Sequence, residues 1–445
     1  MLRLAFITVL AASASLGPIQ HTSAQSRPFN VPLPKTRPAA AHSFAPQPVP
    51  AADHTASIHR TNNPVAASGQ LKRGLDALTN DEIALSRQIR DSMPAGSLDR
   101  NVLTWALAIS GARGVPSSEI AAASNQLAHW PGLAALRANS ERAMAREGGS
   151  AAQVIAAFGT TKPETIQGAI ALARAQKAMG DRQSAAATIA PIWRTELLDR
   201  SREKLILKEF SDLLTRADHK RRMDMLLYRD RITQAARMQD LANAHSLYQA
   251  RSAVIRKSPH AAKMIKAVHP TWHDDPSYLF ARIAYHRKRD EDKKAAELLL
   301  KAPRNANALV NTKEWWVEGR IVSRGLADKG DFSTAYKVAS NHLATRPVDI
   351  IEAEWHAGWF ALRGFNDGKT AHIHFDRVLK QATRPLSQSR AYYWLGRAAE
   401  AGGPGSATGY FEQAARYNAT YYGQLAAARL GQRSLDVRYP SPSAT

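Results

Sequence analysis

From about Leu71 onward, apolar residues recur at helical rather than strand spacing. Trp315, Gly319, Val322 and Leu326 fall at i, i+4, i+7 and i+11, and Phe332, Ala335, Tyr336 and Ala339 at i, i+3, i+4 and i+7. Each set lies along one face of an α-helix, because residues three or four apart are neighbours on that surface. Ala, Leu, Arg, Glu and Gln are abundant here and runs of β-branched residues are scarce, which favours helix throughout.

Turn signals interrupt these stripes. They are Gly180-Asp181, Arg289-Asp290-Glu291-Asp292, Gly330-Asp331, Asn366-Asp367-Gly368 and Gly402-Gly403-Pro404-Gly405, the last four roughly 36 to 40 residues apart. Ala217-Asp218 falls one such interval after Gly180, so a turn is expected there; none is legible near residue 255, where the array is expected to be irregular. A helix with one apolar stripe cannot bury it alone, so each pair must stack on its neighbours. Ala371…Phe375 and Ala407…Phe411 share the A-x-x-x-F spacing of the second helix of a tetratricopeptide unit, with alanine against the partner helix and phenylalanine filling the gap between repeats. The predicted architecture is all-α: a tetratricopeptide-like α-superhelix of stacked antiparallel helix pairs over residues 71–431.

The flanks differ. One charge, Arg3, precedes an apolar run from Leu4 to Leu16 that is too short to span a bilayer, and Thr22-Ser23-Ala24 offers small residues for cleavage. Residues 1–24 are therefore expected to be a secretory signal peptide, and the mature chain an exported protein with no transmembrane segment. Residues 25–70 carry Pro28, Pro32, Pro34, Pro38, Pro46, Pro48 and Pro50, which forbid a continuous helix and predict a disordered linker. A disordered tail is expected over 432–445.

Composition narrows the chemistry. The chain has no cysteine, which excludes disulfides, thiolate metal sites and a cysteine nucleophile. Its net charge of +22 favours an anionic partner, and export favours a cell-wall polymer or membrane surface over nucleic acid. Two basic clusters, His219-Lys220-Arg221-Arg222 and His286-Arg287-Lys288-Arg289, could contact such a polymer, although charge runs of this kind are more often solvated helix ends. Trp315, Trp316, Trp355, Trp359 and Trp394 could stack on sugars, but their helical spacing favours packing between repeats.

Other candidates fail on geometry. His372 and His374 lie two apart, on different faces of a helix, and cannot share a metal; Glu352 and Glu354 fail as an acid–base pair for the same reason. Asp274-Asp275-Pro276 reads as a helix start. The glycines at 402–405 lack the Lys-Ser/Thr and the preceding strand of a phosphate loop. No catalytic, metal or cofactor-binding residue is assigned, and no cofactor is expected.

Three segments carry a family resemblance: Glu352–Leu362 (EAEWHAGWFAL), the run from Tyr393 (YWLGRAAEAGG) and Thr420–Gly431 (TYYGQLAAARLG). They resemble the superhelical N-terminal domain of soluble lytic murein transglycosylases. Trp130–Arg142, Asp218–Leu227 and Pro276–Pro303 agree, so the resemblance covers about residues 100–431. It implies a periplasmic protein acting on peptidoglycan, with a ring- or horseshoe-shaped superhelix ahead of a lysozyme-like domain. That domain cleaves the β-1,4 bond between N-acetylmuramic acid and N-acetylglucosamine to a 1,6-anhydro product, using one glutamate as acid and then base. The family places this glutamate in a Glu-Ser pair, followed by a Gly-Leu-Met-Gln motif; neither occurs in this sequence. The expectation is a scaffold without its catalytic domain, whose partners are peptidoglycan and a catalytic or other periplasmic protein. The alternative is a periplasmic helical-repeat adaptor for proteins.

Overall fold

The computed structural model describes residues 68–432; the expected signal peptide (1–24), nearly all of the expected linker (25–70) and the expected tail after Gln432 lie outside the described residues. Short polar side chains open many of its helices. Asp181, Asp331 and Asp367 each accept the backbone N–H three residues on, at 2.9, 3.0 and 2.9 Å, and so satisfy donors that a helix start leaves unpaired. The reversals between paired helices repeat one hydrogen-bonded turn. Its residue with positive φ is Gly180 (83°), Asp290 (56°), Gly330 (81°) or Gly402 (83°). The next N–H reaches back five positions: Asp181 to the Gln176 carbonyl, Glu291 to His286, Asp331 to Leu326 and Gly403 to Ala398, at 2.9 to 3.1 Å.

Among the described residues the elements are all helical, with no strand, and successive helices pack antiparallel into a stacked-pair superhelix. The core is divided to match. One cluster gathers Trp193, Ile206, Phe210, Leu226 and Leu247; another Phe280, Ile283, Leu298 and Trp315; a third Val322, Leu326, Ala335 and Phe360. Each is shared by neighbouring pairs, as expected for a repeat array. The predicted stripe Trp315, Gly319, Val322 and Leu326 is buried in the Thr312–Asp328 helix.

The A-x-x-x-F pattern has a partner that the sequence did not disclose. Ala371 and Phe375 are fully buried, and the Phe375 ring lies against Gly358 of the preceding helix. Phe411 lies against Gly396 in the same way. A Cβ at Gly358 would stand 2.6 Å from the Phe375 ring, and one at Gly396 2.5 Å from that of Phe411. Glycine in the first helix is therefore the seat for phenylalanine from the second.

Two turn expectations need correction. Ala217-Asp218 is not a reversal: both lie in the first turn of the Arg216–Tyr228 helix, where Asp218 and Thr215 cap each other reciprocally. The reversal comes at Asp230 (φ 57°), with Arg231 N–H bonded to the Leu226 carbonyl at 2.8 Å. Near residue 255 a turn of the same kind does exist, built on Lys257 (φ 55°) with Ser258 N–H on the Ala253 carbonyl at 2.9 Å. Neither uses glycine, the cue that marks most of the others.

The glycine seats generate a test. Gly358→Ala should cost about 1–3 kcal/mol of stability by overpacking, and Phe375→Ala about 3–5 kcal/mol by leaving a cavity. In urea denaturation the double variant should lose less than the sum, because removing the ring relieves the clash; strict additivity would mean the two do not share a seat.

Candidate functional site: a cleft along the Arg216–Tyr228 helix

Between residues 232 and 275 the regular pairing gives way to short helices, Ile232–Ala236 and Ala261–Lys266, and a 3-10 turn at Pro270–Trp272. Pro259 and Pro270 flank the second of these helices and limit its length. This compression brings distant repeats onto the Arg216–Tyr228 helix. Lys220 reaches Asp275, Arg221 donates to the Asn307 carbonyl, and Trp315 Nε1 donates to the Tyr228 hydroxyl at 3.0 Å across 87 positions.

Two clefts run end to end along this helix. The first, of about 580 Å3, is lined by Arg216, Lys220, Arg221, Asp224, Trp272 and Asp275 among others. The second, of about 680 Å3, includes Arg221, Met225, Tyr228, Arg229, Lys313 and Arg346. Arg221 and Val310 belong to both. Val310 is the centre of a γ-turn, with φ 63°, ψ −47° and Asn311 N–H on the Leu309 carbonyl at 2.6 Å. For a β-branched residue this conformation costs on the order of 1–3 kcal/mol, and such strain concentrates at functional surfaces.

The floor of the first cleft is a buried charge cluster. Lys220 Nζ lies 2.6 Å from Asp224 Oδ2 and 2.5 and 2.7 Å from the two oxygens of Asp275. Burial alone would lower the lysine pKa, but the two carboxylates outweigh it and raise it. Asp275 is raised, first by burial and then by Asp224, against the pull of Lys220. Asp224 is 1% exposed and its Oδ1 has no hydrogen-bond donor. Trp272 is half-buried, bridges two core clusters and carries Lys220 Nζ 5.7 Å from its ring centroid. On the rim Arg216 and Arg229 are exposed.

The basic clusters thus land differently from expectation. His219–Arg222 is not a solvated helix end: it occupies the first half of its helix, and three of its four side chains are largely buried. Arg222 is fully buried, stacks 4.4 Å from the Trp193 ring centroid and pairs with Glu203 at 3.0 Å. His219, its pKa lowered chiefly by burial, meets the edge of the same Trp193 ring. His286–Arg289 does end a helix, yet its charges are engaged: Arg287 holds Glu318 through two bonds of 2.6 and 2.7 Å, and Lys288 caps the Val254 carbonyl at 2.6 Å.

The tryptophans pack as the spacing favoured. Trp315 and Trp316 are buried, and Trp355 stacks on Trp359 and meets the edge of Trp394. The H-x-H splits: His374 Nδ1 meets Glu354 Oε2 at 2.5 Å, while His372 lies against Tyr410. Glu352 and Glu354 also part, Glu352 binding Arg320 and Trp316, Glu354 binding His342 and His374. Asp275 starts a helix as expected, accepting the Ser277 N–H at 2.8 Å, and in addition forms the cleft floor. Trp272, Asp224 and the Lys220 pairing were missed in the sequence, since the groups come together from positions up to 55 apart with no motif.

Comparison with known proteins gives a likeness of fold. No protein-family model matches the sequence, and no curated protein matches it. In fold it is similar to an inactive mutant of lytic transglycosylase Slt from Pseudomonas aeruginosa, with a TM-score of 0.53 and 16% identity over 84% of this chain and 59% of that one. The chain thus spans about three-fifths of the length of that structure. At this identity the likeness is one of fold. Among the described residues no helix is long and apolar enough to cross a membrane.

The Glu354 network gives a pH test. Burial would raise the Glu354 carboxyl, but hydrogen bonds from His342 and His374 prevail and hold it at about 2, against the usual 4.5. A depressed carboxylate stabilises the fold above its unfolded pKa, and that contribution is lost as pH falls from 4.5 toward 2. Glu354→Gln should therefore cost about 1–3 kcal/mol at pH 7. The gap to wild type in urea melts should narrow between pH 4.5 and 2; a constant gap would refute the charge assignment.

Proposed function

We propose that this chain is the superhelical scaffold of a periplasmic protein that engages peptidoglycan, akin to the scaffold of a lytic transglycosylase. The observation that carries the reading is the fold likeness over 84% of the chain. Two features support it: a net charge of +22, suited to an anionic polymer, and the long cleft with arginines on its rim. The family reaction, non-hydrolytic cleavage to a 1,6-anhydro product, needs a glutamate in a Glu-Ser pair that this sequence does not contain. The role assigned to these 445 residues is therefore binding and positioning of the wall polymer, with cleavage supplied by a catalytic domain.

Co-sedimentation with purified sacculi tests this. The chain should pellet with sacculi, detach as salt rises, and release no anhydro-sugar products by mass spectrometry. Failure to pellet at low salt, together with specific capture of a periplasmic protein, would favour the adaptor reading instead. Release of anhydro products by the pure chain would show that an active site is present.

A further inference from the structure

The charge on the cleft floor does not balance. Two carboxylates, Asp224 and Asp275, face one ammonium, Lys220. Asp224 lines the cleft, is almost wholly buried, and keeps Oδ1 without a donor. A buried carboxylate oxygen left in this way is costly unless a donor or cation arrives. Burial first, and then the Asp224 charge, raise the Asp275 carboxyl against the pull of Lys220. Above the floor the sign reverses. Arg216 is exposed, and among the described residues Arg221 donates to a backbone carbonyl alone, so both guanidinium groups can donate to a carboxylate. The Trp272 ring also lines the cleft and offers an apolar surface on which a short backbone can lie.

We propose that this cleft binds a zwitterionic peptide, its ammonium beside Asp224 and Asp275 and its carboxylate on Arg216 and Arg221. The opposed charges fix the orientation of the peptide: reversed, each end would meet its own sign. The strained Val310 turn lines both this cleft and the second one, where Arg229 and Lys313 add further positive charge. If the proposed function holds, the peptide is one carried by the wall polymer; the binding chemistry itself does not depend on that reading.

The test is calorimetry of the full chain with an alanyl-lysyl-alanine tripeptide, the same peptide acetylated on its amines, and the same peptide amidated at its C-terminus. The free tripeptide should bind, and each modification should weaken binding about tenfold or more. Asp275→Asn, which preserves the helix cap, and Arg221→Ala, at the rim, should each do likewise, with helical circular dichroism unchanged. Equal binding of all three peptides, no binding of the free one, or unaltered affinity in both variants would overturn the proposal. Sacculus co-sedimentation run in parallel separates the two ideas. Wall binding without tripeptide binding removes the peptide site and keeps the scaffold reading. Tripeptide binding without wall binding does the reverse.

Discussion

The fold depends on reversing a helix within a few residues while leaving no backbone carbonyl stranded. One residue with positive φ and one hydrogen bond reaching back five positions accomplish this at Gly180, Gly330 and Gly402. At Gly180 and Gly330 the following aspartate then caps the next helix. With the reversal fixed, the paired helices must lie antiparallel, and the apolar stripes meet without further instruction. The glycine seats for Phe375 and Phe411 depend on the same geometry, since they work only if the second helix returns along the first at close range.

Where that turn is written with glycine, the sequence was legible. The stripes through Trp315 and Phe332, the separation of His372 from His374, and the helix start at Asp275 all follow from local spacing. At Asp230 and Lys257 the left-handed residue is neither glycine nor part of a legible break such as that at Asp290, so the cue disappears and the repeat pattern skips. The cleft lies in that same interval. Besides the local pair of Lys220 and Asp224, its residues are joined by contacts spanning 55 to 87 positions, and no local pattern encodes such contacts. The basic run at 219–222 misled for a related reason: a sequence shows that cations are adjacent, but not that Trp193, Glu203 and Asp224 wait to receive them.

The charge of the protein therefore divides into two populations. Many cations join neighbouring repeats, as Arg287 does with Glu318 and Arg320 with Glu352, where partial burial makes each pair worth more than an exposed one. Others, such as Arg216 and Arg229, stand at the cleft rim. Net charge adds the two together, so it overstates the surface available to an anionic polymer. What the polymer would meet is the rim, and its position is set by the buried pairs beneath.

The hydrogen bond between Trp315 and Tyr228 has a mechanical meaning. A stack of helix pairs in which each touches only its neighbours behaves as springs in series, and every interface yields a little under load. A bond across 87 positions ties two distant links together, with Arg251 and Phe280 packed against it. The middle of the array thereby carries a brace that a stack of nearest-neighbour contacts lacks, and the second cleft is lined by Tyr228, one half of that brace.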